Sequence, residues 1–133
     1  MSESSINRKR SDFCNLEYLL VNLGRNQAAA ERLIHLFLEG APTLCARLET
    51  AAAQGDLPAL KDALHDIRSS CVLFSGHRCL DQARKIEELV REQLLEASSG
   101  KAAPNWPSMS APLILCIQCM ATELADFLSD REG

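Results

Sequence analysis

The sequence predicts an all-α domain, an antiparallel four-helix bundle with a short N-terminal helix across one end. Three observations carry this. Apolar residues recur at spacings of three and four through most of the 133 residues. Hydrophobic residues make up 47% of the chain but aromatics only 5%, a balance suited to helices packed by Leu, Ala and Ile. The patterning gives no support to a β-sheet, which would alternate apolar and polar residues.

Residues 1–10, ending in Arg8-Lys9-Arg10, read as a flexible arm, and 11–130 as a single domain. Ser11 or Asp12 is expected to cap a short helix carrying Phe13, Leu16, Leu19 and Leu20, ended near Gly24. Asn26 precedes a second helix with Ala29, Ala30, Leu33, Leu36 and Phe37 on its buried face. Gly40 and Pro42 are expected to break the chain there, with Pro42 opening a third helix that buries Leu44, Leu48, Ala51 and Ala52. Gly55 closes that helix and Asp56 caps the next, with Pro58 in its first turn. After a turn at Ser75-Gly76, a long helix runs to about Ala97, apolar at Leu80, Ala83, Ile86, Leu89, Val90 and Leu94. Its other side pairs Arg84 with Glu88 and Glu87 with Arg91 at the four-residue spacing of a solvated face. Residues 98–112 hold one glycine, three prolines and four serines and read as a loop, pinned to the bundle by Trp106. Pro112 then starts the last helix, with Leu113, Ile114, Ile117, Met120, Leu124, Phe127 and Leu128 as its core. Short junctions at Gly40, Gly55 and Gly76 make successive helices antiparallel.

A formal charge of −4 argues against a nucleic-acid binder, which carries a basic footprint. No apolar run approaching ~18 residues is evident and the polar N-terminus lacks a signal-peptide core, so a soluble, cytoplasmic monomer with no membrane span is expected. Six cysteines in a chain with enough apolar residues for a core need not form disulfides. Cys116 and Cys119 form a CxxC, but within the apolar helical pattern LILCIQCMATEL and without a second cysteine or histidine pair. They read as core cysteines ahead of a redox or metal-responsive module. No metal or other cofactor is expected on this chain.

The informative stretch is the helix from Asp56. Leu60, Ala63, Leu64, Ile67, Cys71 and Phe74 fall within about 60° either side of Ile67, the width of one core-facing stripe. His65 then lies roughly 160° from Ile67 and points into water. Lys61 and Arg68 stand at i−4 and i+3, where side chains on a helix are neighbours. A neutral imidazole has little need of two cations, whereas an anion attached to it would be held by both. Val72, at about 140°, projects on the same exposed side, and Leu73 also falls outside the core stripe. His35 lies four residues from both Glu31 and Glu39, which would repel a phosphate, and His77 reads as a surface residue beside Arg78.

The run His65-Asp66-Ile67-Arg68-Ser69-Ser70, the turn at Ser75-Gly76 and the lead-in LIHLFLEGAPTLCARLETAAAQGDLPALKDALH resemble the histidine-containing phosphotransfer (HPt) domains, over roughly Asp12 to Glu92. The chain departs from that family at Ser69, where glycine is usual, and at the turn, where Ser75 takes the usual glycine position and Gly76 follows. Arg68 replaces the more frequent lysine, keeps the charge and adds a planar fork for phosphate oxygens. The resemblance implies an HPt-like bundle that takes a phosphoryl group on His65 from a receiver-domain aspartate and passes it to a second receiver. It implies stabilisation of the transferring oxygens by Lys61 and Arg68, and docking of a receiver, in a response regulator or hybrid sensor histidine kinase, around Ser69, Val72, Leu73 and Arg78. Mg²⁺ is then expected in the partner receiver. With no nucleotide loop, the chain would be a carrier without kinase activity of its own. The alternative is an HPt-like adaptor that binds a receiver or kinase without carrying phosphate, favoured if Ser69 obstructs His65.

Overall fold

The chain forms α1 (Leu16–Asn22), α2 (Gln27–Gln54), α3 (Leu57–Leu73), α4 (His77–Leu95) and α5 (Trp106–Glu132). The computed structural model describes residues 13–95 and 102–132, with no strand among them. The basic arm, the caps expected at Ser11 or Asp12, the helix end expected near Ala97 and residues 98–101 of the expected loop lie outside the described residues.

Helix α1 starts later than its pattern suggested. Asn15 is its N-cap, accepting from the Tyr18 amide at 3.0 Å. Phe13 and Asn15 are tied elsewhere. The Phe13 amide donates to both carboxylate oxygens of Glu123 on α5, at 3.2 and 3.1 Å, and the Asn15 amide donates to the Phe74 carbonyl at 2.9 Å. These bonds seat the extended lead-in over the α3–α4 turn.

The expected junction at Gly40 and Pro42 does not exist. Helix α2 runs unbroken from Gln27 to Gln54, between the Asn26 cap and a left-handed Gly55. Its buried residues Ala30, Ile34, Phe37, Ala41, Leu48, Ala51 and Ala52 form one stripe that keeps its phase across Gly40 and Pro42. A break there would throw half of the stripe off the core. Pro42 itself is exposed, so its ring meets solvent, and the helix forgoes one backbone bond to the Leu38 carbonyl. Retaining a stripe of seven buried side chains outweighs the roughly 3 kcal/mol that an interior proline costs.

Asp56 caps α3 through the Ala59 amide at 3.2 Å, with proline in the first turn. At its far end the Gly76 amide bonds the Cys71 carbonyl at 2.7 Å and the Ser75 amide the Val72 carbonyl at 3.2 Å, a Schellman closure. Ser75 takes the left-handed conformation, φ 55°, that glycine usually fills. Gly76 answers a different demand: a Cβ there would lie 2.7 Å from Met120 Sδ and 3.0 Å from the Phe13 carbonyl oxygen. The apparent one-residue shift of the turn glycine therefore follows from close packing under the N-terminal segment.

The last helix also begins earlier than Pro112. Asn105 receives the Ser108 amide at 3.0 Å, as an N-cap does, and Trp106 and Pro107 form the first turn. Pro112 lies inside the helix on its exposed side. Trp106 is buried, so it does pin this end of the chain, but as the first helical residue rather than from a loop. The segment 106–130 is, by length and composition alone, apolar enough to cross a membrane, an 18-residue window of it having a mean hydropathy of 1.5, where no apolar run of that length was expected from the sequence. Leu113, Cys116, Ile117, Met120, Leu124 and Leu128 on it are buried against the bundle, so part of that apolarity serves the core, while Leu115 is exposed.

The four long helices close a ring, α2 against α3, α3 against α4, α4 against α5 and α5 against α2. Neighbours are antiparallel, as the edge-to-face contact of Phe37 with Phe74 (centroids 5.3 Å apart) and the Arg47–Asp66 ion pair at 2.8 Å show for α2 and α3. Without the Gly40 junction the count becomes the four long helices of the expected bundle, with α1 lying against the start of α2.

Candidate functional site

Leu60, Ala63, Leu64, Ile67 and Cys71 of α3, and Phe74 at its C-cap, are all buried, the stripe anticipated from spacing. The same geometry delivers His65 to the opposite, exposed side. Because α3 is held along its whole length by the core and at both ends by caps, the imidazole projects from a rigid support.

Arg68 organises the surroundings of His65. One guanidinium nitrogen, Nη2, lies 3.5 Å from His65 Nδ1, while Nη1 lies 3.4 Å from Oε1 of Glu87 on α4. A guanidinium only donates, so Nδ1 is the acceptor in this contact and a neutral ring carries its proton on Nε2. Nε2 is the other ring nitrogen, and it holds a lone pair for attack once the ring proton is on Nδ1. The Glu87 side chain is 14% exposed against 38% for Arg68, so the carboxylate sits down in the α3–α4 groove and the guanidinium above it. Lys61, one turn before His65, lines a small cleft with Glu87, Val90, Arg91 and Leu94. Lys61, Arg68 and Arg91 thus bring positive charge to the α3–α4 groove against the Glu87 carboxylate, while Asp62 and Asp66 flank His65 on its own helix.

The spacing of Glu87 and Arg91 predicts a pair on a solvated face of α4. The sequence does carry their helical spacing, but which residues of α4 stand beside His65 depends on how α4 is placed against α3.

Ser69 does not stand over the imidazole. Its hydroxyl donates to the His65 carbonyl at 3.1 Å, one turn back along its own helix, which turns the side chain down onto the backbone. Val72 is 57% exposed and Leu73 38%, so two large apolar side chains sit in water about two turns beyond His65. Arg78 stands apart. It is at the start of α4, beyond the α3–α4 turn, with its guanidinium 4.5 Å from the centre of the Phe13 ring. His35 and His77 are exposed on α2 and at the first residue of α4.

The cysteines gather on the far side of the hairpin, in the core. All six are free thiols; Cys14, Cys71, Cys79 and Cys116 are buried and Cys45 and Cys119 half-buried. Cys116 meets Cys79 of α4, Sγ to Sγ 2.6 Å, rather than forming a unit with Cys119. The hydrogen bond with Cys71, with burial, pushes the Cys79 thiol far above its ordinary value. Burial pushes the Cys116 thiol up to about 12, and burial with a hydrogen bond to Glu123 raises Cys14. Such thiols stay protonated and unreactive near neutral pH. Among the described residues no group of three or more His, Cys, Asp or Glu side chains is placed to hold a metal ion.

A model of the Hpt domain family matches residues 32–129, which include α3, α4 and nearly all of α2 and α5. In fold, the chain is similar to the crystal structure of the HPT domain from a sensor hybrid histidine kinase of Shewanella, with a TM-score of 0.72 over 88% of this chain and 94% of that one at 14% identity. No match was found among curated proteins.

Proposed function

As the chain belongs to the Hpt domain family, we propose that it is a phosphorelay intermediate that accepts a phosphoryl group on His65 from a receiver-domain aspartate and hands it to another receiver. The observation that carries this reading is the exposed imidazole of His65 with Arg68 3.5 Å from Nδ1 and Lys61 one turn away, on the face of a helix that the bundle holds rigid. With the ring proton moved from Nε2 to Nδ1 through solvent, the Nε2 lone pair attacks the phosphorus of the aspartyl phosphate. The P–O bond breaks with its electron pair going to the receiver carboxylate, a P–N bond forms, and the phospho-imidazolium sheds its Nδ1 proton to solvent. Arg68 and Lys61 balance charge on the equatorial oxygens as they cross. The Mg²⁺ of such a reaction resides in the receiver, and this chain contributes the nucleophile and the cations.

Val72 and Leu73 offer the apolar contact for a receiver beside His65, with Ser69 leaving the approach open. The folded-back Ser69 hydroxyl supports the carrier reading over an adaptor without phosphate. Arg78 belongs to this surface only at its edge, since it already covers Phe13. The reading places the protein in the cytoplasm with its receivers.

Transfer from a phosphorylated receiver tests the proposal. Wild type is expected to acquire acid-labile label and His65→Gln none, with receiver binding intact in both. Val72→Glu is expected to weaken receiver binding about tenfold or more while the bundle melts normally. Label retained by His65→Gln would place the phosphorylation site elsewhere.

A further inference from the structure

Glu87 is the carboxylate among the described residues that line the cleft with Lys61, one turn before His65, and its pairing with Arg68 opposes a phosphoryl group on His65 in two ways. It engages Arg68 at 3.4 Å, so a phosphoryl group on Nε2 must compete with it for the guanidinium. It is also a negative charge held one guanidinium away from the imidazole, since one Arg68 fork touches both Glu87 and His65. Carboxylate and phosphoryl group repel each other, and both effects act only once His65 is charged with phosphate.

Resting on the reading of His65 as the phosphoryl carrier, we propose that Glu87 sets the poise of the transfer: it raises the free energy of phospho-His65 and so favours release of the phosphoryl group to a receiver over its retention. Lys61 and Arg91 share the cleft and pull the other way, which is why the site still accepts phosphate. No new bond is involved. The same exchange of P–O for P–N runs in both directions, and Glu87 shifts its equilibrium. An uncharged residue in this place would leave Arg68 free for the phosphoryl oxygens and make the protein a reservoir instead of a relay.

The experiment uses the full chain and one purified receiver, mixed to equilibrium from either phosphorylated side, with the ratio of phospho-His to phospho-Asp read by gel or mass spectrometry. Glu87→Gln is expected to move that ratio toward phospho-His by about three- to tenfold, the scale of a carboxylate–phosphoryl repulsion at water-like dielectric. The gain should shrink as salt is raised, because these groups are partly solvated. Glu87→Asp keeps the charge and should give less than half of the shift. An unchanged ratio, a shift toward the receiver, or equal shifts in the Gln and Asp variants would overturn the inference while leaving the carrier reading intact. A wild-type protein that takes no label from receivers or from phosphoramidate would overturn the carrier reading and this inference with it.

Discussion

Pro42→Ala and Gly40→Ala test the continuity of α2, on which the geometry of the bundle depends. In an unbroken helix Pro42 withholds a donor from the Leu38 carbonyl and crowds the preceding turn, so alanine restores one backbone bond. The ring is exposed and alanine removes no core contact. An interior proline is about 3 kcal/mol less favourable than alanine, and relaxation around the existing proline reduces the recoverable part, so a gain of about 1–3 kcal/mol is expected. Gly40 has ordinary helical φ, and a Cβ built there meets nothing within 4 Å. Gly40→Ala should therefore add about 0.5–1 kcal/mol. Urea unfolding followed by far-UV circular dichroism measures both. With a slope near 2 kcal/mol/M, the double variant should move the midpoint up by about 1–2 M at constant slope. Loss of stability in either variant would mean that a turn, with backbone angles alanine resists, lies where the helix is described.

The α3–α4 turn and the buried thiols give two more tests. Gly76→Ala should cost about 1–3 kcal/mol, because the new methyl meets the Phe13 carbonyl at 3.0 Å and Met120 must yield, whereas Ser75→Gly should gain up to about 1 kcal/mol by relieving φ 55°; the reverse order in thermal melts would refute this division of labour. The thiols of Cys14, Cys79 and Cys116 bind their protons more tightly folded than unfolded, so their contribution is complete below the unfolded value near 9 and is lost as pH rises toward and through the folded ones, about 12 for Cys116. Stability measured by urea titration should thus fall between pH 9 and 12, and less steeply in Cys116→Ala; identical slopes would rule out Cys116 as a source.

The single-helix patterns determined much of this protein. The stripe from Leu60 to Phe74 fixed the exposure of His65, and Lys61 and Arg68 followed from their spacing, because three and four residues define neighbours on any α-helix. Asn26, Asp56 and Gly55 marked real helix ends, since caps act through local backbone bonds. The same local logic misread Gly40, Pro42 and Pro112, where a breaking residue is overruled by a continuous buried face. Only the tertiary structure decided which residues meet across helices. Glu87 reaches Arg68, Cys79 reaches Cys116, and Glu123 receives the Phe13 amide through the relative placement of α3, α4 and α5. That register is the outcome of packing summed over whole helix faces, and no short window of sequence contains it.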